Sequence, residues 1–258
     1  MSKIDLNRVW DDVRAMGAAN KDLLGAISGM FVLLPTVLGG LLAKAPEAPA
    51  RDAPREEVYQ QMLQYYADNW PTLLGLGLIV AFAVLAMLVL LLRPERLTVG
   101  ESLKAALLLL PGYVLANILQ GVGFFVGFML LILPGFYLLA RLFLIAAVAA
   151  AEKSSNPLEL IQRSFTLTRG NGWRIFLMLF ILYFTVQVVS TVATTLVGLG
   201  ALLLLPKDLA ALAVSIVNGL VASAFAAFLA LLAAAIYRAC TGHAQGRSGA
   251  SWLPGAGG

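Results

Sequence analysis

Residues 133–174 read LPGFYLLARLFLIAAVAAAEKSSNPLELIQRSFTLTRGNGWR. An apolar run carrying Pro134-Gly135 holds one arginine, Arg141, and ends at Glu152; a short amphipathic segment follows, and a new apolar run opens at Trp173-Arg174. Apolar stretches of this length read as membrane helices, since about 20 residues cross a bilayer. The pattern is therefore span, surface helix, span. Working outward, charges fall between apolar runs elsewhere in the chain; only Arg141 falls within one.

Composition agrees. The 258 residues are 60% hydrophobic and 12% charged, with a mean hydropathy of +0.87, whereas soluble domains carry about 25% charged residues. Too few polar groups exist to cover a globule in water, so lipid is the expected solvent. The net charge of +4 is scattered between apolar runs, which argues against a nucleic-acid partner. One cysteine, Cys240, allows no internal disulfide, and the single His243 lies in a Gly/Ser-rich tail. No secretory signal peptide is expected, because residues 1–22 mix acidic and basic groups ahead of the first apolar run.

The sequence predicts an all-α membrane bundle of six spans, near 22–43, 71–92, 103–120, 124–151, 173–205 and 209–237. They form a single domain over 1–240, followed by a flexible cytoplasmic tail at 241–258. Residues 4–17 place Leu6, Val9, Trp10, Val13 and Met16 at helical spacing, either as a surface helix or as a charged lead-in. Pro35 is expected to kink the first span. Residues 44–70 are polar, kept extended by Pro46, Pro49 and Pro54. From Arg55 a helix leads into Trp70-Pro71, with Tyr65, Tyr66 and Trp70 suited to the water–lipid boundary. Thr98 and Glu101 form a capping box. Gln120-Gly121-Val122-Gly123 is the expected break within residues 105–151, and Pro134-Gly135 the expected bend of the fourth span. Asn156-Pro157-Leu158-Glu159 starts the surface helix, with Asn156 as cap and Glu159 reaching back to its N–H. Leu158, Ile161 and Phe165 make its apolar face, and Gly170 stops it.

Lysine and arginine set the orientation. With six spans and a cytoplasmic N-terminus, thirteen of the 18 fall inside and four outside, Arg141 being the remaining one. That bias places both termini inside. Arg141 then lies about 15 Å from the end of a straight span, near the middle of a ~30 Å core. Tyr137, Arg141, Val148 and Glu152 share a face of that helix. Arg141 and Glu152 would be about 16 Å apart along the axis, too far to pair. Arg141 needs Asn117, Gln120, Gln187, a lipid phosphate or water; otherwise it snorkels or holds a backbone carbonyl at the Pro134 kink. A second polar set, Gln187, Ser190, Thr191, Thr194 and Thr195 with Ser215, Asn218 and Ser223, suggests a seam between the last two spans. Ala222, Ala226, Ala230 and Ala234 suggest close helix packing.

Catalytic signatures are missing: no metal-ligand set, no Ser/His/Asp arrangement, no phosphate-binding Gly loop. No cofactor is indicated. The leading expectation is a non-catalytic protein that binds or moves a lipid-like or anionic amphiphile, using Arg141 and the basic loop that holds Arg163, Arg169 and Arg174. A scaffold that recruits a soluble partner through the helices at 4–17 and 157–169 is the alternative. Homo-oligomerisation is open, and interfacial chemistry at Glu101, Arg141 and Glu152 is a third class.

Pro134-Gly135, Tyr137, Arg141, Glu152, Arg163-Ser164, Leu167, Gly170 and Trp173-Arg174-Ile175-Phe176 carry a resemblance. Asn20, Pro35 and Trp70 extend it. The chain resembles the bacterial membrane domain attached to some glycerophosphoryl diester phosphodiesterases, together with stand-alone YciC-like inner-membrane proteins. It departs at Ala147 to Ala151, where that family has a proline, and at Leu160-Ile161, where it often has Ala-Leu. The resemblance implies an inner-membrane protein of about six helices. It implies no phosphodiesterase activity, which in fused relatives belongs to a separate soluble barrel whose metal-binding residues are missing from this sequence.

Overall fold

The computed structural model describes residues 4–42, 54–95, 97–130 and 132–249. All described elements are helical: α1 (Leu6–Ser28), a π-helical turn (Gly29–Leu33), α2 (Leu34–Leu42), α3 (Arg55–Leu92), α4 (Val99–Leu130), α5 (Ile132–Leu142), α6 (Ile145–Glu152), α7 (Pro157–Leu167), α8 (Gly172–Leu204) and α9 (Lys207–Gly249). Six segments are long and apolar enough to cross a membrane: Leu6–Leu42, Arg55–Leu92, Val99–Met129, Gly135–Glu152, Gly172–Leu204 and Asp208–Gly242. The chain is an all-α, multi-pass membrane protein.

Several boundaries differ from expectation, each for a physical reason. Residues 4–17 are no separate surface helix. They are the first turns of α1, which continues into the first span, and Val9, Val13 and Met16 are buried within the protein, with Trp10 against Phe228 of α9. Pro35 is absorbed by the π turn just before it, where the Leu34 N–H reaches back to the Gly29 carbonyl. Proline lacks a donor and crowds the carbonyl four residues earlier, and widening the helix relieves both. α3 runs unbroken through Pro71 and starts at Arg55, so the second span has no boundary at Trp70. The predicted extended stretch at 44–53 lies outside the described residues.

The expected break at Gln120–Gly123 does not occur. α4 continues to Leu130, because glycine permits a turn without imposing one and unbroken helix keeps the backbone bonded in lipid. The reversal comes instead between α4 and α5, with Pro134 in the first turn of α5 and Gly135 against the Phe128 ring. The bend of the fourth span is displaced to Phe143-Leu144, between α5 and α6. α9 likewise runs on to Gly249, nine residues into the expected tail; residues 250–258 lie outside the described residues.

The core sits at one end of the bundle, where Ala83 and residues 85–91 of α3, 145–150 of α6 and 230–236 of α9 are buried. α6 and α9 are alanine-rich there, and small side chains let helix backbones approach closely. Elsewhere the bundle displays bare apolar surface, including Leu108 at 78% and Leu203 at 86% exposure. Such a surface suits hydrocarbon and would aggregate in water.

Candidate functional site

α7 folds back against the fourth span. Asn156 caps it, its Oδ1 accepting from the Leu158 N–H at 3.2 Å, and Pro157 occupies the first turn. Glu159 accepts from the Ser154 hydroxyl at 2.7 Å and not from the cap's N–H, which donates to Ser154 at 3.3 Å. The buried face is Leu160 and Ser164, while Leu158 is 61% exposed. The apolar face expected from Leu158, Ile161 and Phe165 is therefore rotated. The helix ends at Leu167, and Gly170 takes the left-handed conformation at φ 82°.

Arg141 is held by α7. Its guanidinium donates to the Phe165 carbonyl at 2.7 Å and lies over the rings of Tyr137 (5.7 Å) and Phe165 (5.1 Å). Phe165 lies in the last turn of α7, where carbonyls lack helical partners and the dipole favours a cation. The bend at Phe143-Leu144 frees Arg141's own carbonyl, which accepts from the Ser164 hydroxyl at 2.8 Å and from Thr168 at 3.2 Å. Arg141 thus uses both ends of its residue to fasten α5 to α7. Its Nε is buried without a partner. Asn117, Gln120 and Gln187 are not its partners; Asn117 bonds the Tyr113 carbonyl within α4.

The following connector joins the same knot. Trp173 meets Tyr137 at 5.8 Å between ring centroids, and a side chain at Gly172 would collide with Tyr137 and Arg141. Asn171, buried, accepts the Ile4 N–H at 3.1 Å, and Arg174 donates to the Ile4 carbonyl at 3.0 Å. Arg141 therefore stands beside the connector that touches the start of α1, in contact with protein on several sides. One residue away on α7, Arg163 pairs with Glu152 at 2.7 Å, and Tyr237 donates to the same carboxylate oxygen at 3.1 Å. The hydrogen bond to Glu152 raises Arg163's pKa above the ordinary guanidinium value. Arg141 and Glu152 do not pair, but adjacent residues of α7, Ser164 and Arg163, bind one each. Arg169 is exposed and makes no ion pair among the described residues.

Sequence reasoning missed several participants. Thr168 and Asn171 act through positions that no spacing rule marks, and Ser164 is marked only by the resemblance. Gly112 of α4 lies under the Ser155 backbone, so that any Cβ there would overlap the Ser155 carbonyl. Lys153 closes α6 in the left-handed region at φ 54°.

Of the predicted polar seam, only Ser215 and Asn218 line a common cleft. Thr194 back-bonds to the Ser190 and Thr191 carbonyls of its own helix, and among the described residues no side-chain hydrogen bond joins α8 to α9. Instead Gly40, Gly198, Leu202, Val214, Ser215 and Asn218 line an open cleft of about 500 Å³ between α2, α8 and α9, and among the described residues none that lines it is charged. Ala226, Ala230 and Ala234 are buried, as close packing requires.

Comparison with protein-family models, with curated proteins and with solved structures finds no match. Function rests on the geometry. Among the described residues no group of three His, Cys, Asp or Glu side chains could hold a metal ion. Arg141 spends its Nη2 donor and its carbonyl on α7, with only its Nε left unpaired, whereas the cleft presents polar atoms to whatever occupies it.

Proposed function

We propose that this is a non-catalytic multi-pass protein of a bacterial inner membrane, with both termini cytoplasmic, that binds or moves a lipid-like amphiphile. The observation that carries the reading is the cleft between α2, α8 and α9. It is open, of ligand size (about 300–1,000 Å³ is usual), and flanked by leucines that face lipid, among them Leu38 and Leu199. Arg141, committed to Phe165, serves as a positioning residue for α7 and not as the headgroup contact. The residues shared with the phosphodiesterase-associated membrane domain support membership of that family, and the charge bias supports the orientation. A scaffold role draws less support, because Val9, Val13 and Met16 of α1 and Leu160 of α7 are spent on internal packing.

The test is lipid retention. Protein extracted in mild detergent should carry lipid detectable by native mass spectrometry. Gly40→Leu, which grows a side chain beside Ser215, should strip it without altering the unfolding temperature by more than a few degrees. A wild-type protein that retains no lipid, or a variant that retains as much, counts against the reading.

A further inference from the structure

The cleft holds two hydrogen-bonding side chains that the protein leaves unused. Ser215 is only 8% exposed, and among the described residues neither its hydroxyl nor the Asn218 amide makes a hydrogen bond, although serine in a helix readily bonds the carbonyl four residues back. Asn218 is exposed. It lies eleven residues into α9, which starts at Lys207, so about 16 Å of helix axis separates it from that end. Half of a ~30 Å hydrocarbon core is about the same distance. An amide at this depth has no water to turn to, and an unmet polar group in hydrocarbon is costly. A partner from outside the chain resolves this.

Three properties of the cleft define that partner. It is concave and about 500 Å³, which suits a small molecule better than a neighbouring helix. Its walls at Gly40, Gly198, Leu202 and Val214 are apolar or bare backbone, which suits hydrocarbon chains. Among the described residues none that lines it is charged, so a phosphate or carboxylate placed there would meet no counter-charge from them and carry a large desolvation penalty.

We propose that the cleft binds a neutral lipid of the diacylglycerol class, its hydroxyl and ester carbonyls meeting Asn218 and Ser215 and its chains lying along α2 and α8. This rests on the lipid-binding reading above and narrows it to an uncharged head. The experiment photolabels detergent-solubilised full-length protein with two diazirine probes of identical acyl chains, a diacylglycerol and the corresponding phosphatidic acid, and maps the modified peptides. The diacylglycerol probe should mark α2 and α8 and outcompete the phosphatidic acid. Asn218→Leu should weaken that labelling about three- to tenfold, the loss of one hydrogen bond in lipid. Ser215→Ala, a smaller change, should act in the same direction. Preference for phosphatidic acid, labelling elsewhere, or undiminished labelling of Asn218→Leu overturns the neutral-head assignment while leaving lipid binding intact. A protein that carries no lipid and takes up neither probe fails at the earlier step. A detergent-resistant dimer abolished by Asn218→Leu, with no labelling of the cleft, would assign Asn218 to self-association and overturn the proposal. Thermal unfolding of each variant, compared with that of Gly40→Leu, separates lost binding from lost fold.

Discussion

At the residue scale, the arginine embedded in an apolar run is a fastener. Its guanidinium caps α7 at Phe165 and its carbonyl takes the Ser164 and Thr168 hydroxyls. Arg141→Leu leaves the Phe165 carbonyl without its donor, which costs about 1–3 kcal/mol for a buried group. The expected result is a lower unfolding temperature in detergent and faster proteolysis within residues 153–171, with lipid retention unchanged; Arg141→Lys should recover part of the loss. An Arg141→Leu protein of wild-type stability that had lost its lipid would return the arginine to the ligand site. The sequence made Arg141 conspicuous, since composition alone marks a charge amid hydrocarbon. It could not name Phe165 as partner, because that carbonyl comes from a helix whose docking is set by tertiary packing. Asn218 illustrates the reverse. Its position in a span was legible, but its lack of a partner shows only once the neighbouring helices are placed.

At the element scale, local signals fared best where chemistry forces geometry. The Thr98–Glu101 box forms at α4, with Glu101 accepting the Thr98 N–H at 2.8 Å and Thr98 Oγ1 accepting the Glu101 N–H at 3.3 Å. Asn156-Pro157 starts α7, and Gly170 turns left-handed after it. Signals that merely permit a feature misled: Gly121 and Gly123 tolerate a turn but lie within α4, and Pro71 lies within α3. Gly170→Ala should destabilise the protein by roughly 1–2 kcal/mol, since a Cβ disfavours that backbone region, with greater hydrogen exchange in α7 as the local readout. Gly112→Leu should be worse. Its side chain would overlap the Ser155 carbonyl, and overpacking of this kind costs typically 1–3 kcal/mol. Displacing the 153–156 loop in this way should also separate Lys153 from Glu95, an exposed pair at 3.1 Å whose own loss matters little. A Gly112→Leu protein with unchanged unfolding and unchanged exchange at residues 153–160 would show that loop and α4 are not in contact.

At the scale of the whole molecule, the residues that the lysine and arginine count assigned to one side are physically gathered. Ile4 is bonded to Asn171 and Arg174, Lys153 to Glu95, Tyr237 to Glu152, and the Arg93 and Arg238 side chains donate to the Ala150 and Leu91 carbonyls. This end also holds the buried core, so the charged connectors cap the best-packed part of the bundle. The arrangement follows from an even number of spans: with six, the starts and ends of alternate helices meet at one face, and α6 and α9 can bring their alanines against α3 there. Span number was therefore legible from hydropathy, and the gathering of charges from their spacing. Which helices form the core was not, because alanine runs in α6 and α9 resemble any other apolar segment until their neighbours are known. The orientation yields a direct test. In a Cys240→Ala background, single cysteines at Arg8, Ser155 and Lys207 are labelled in intact cells with a membrane-impermeant maleimide. Only the cysteine at 207, at the start of α9, should react before lysis, and those at 8 and 155 should react after it. Labelling of 8 and 207 from the same side would require an even number of crossings between them, and would undo both the six-span topology and the placement of the charged face in the cytoplasm.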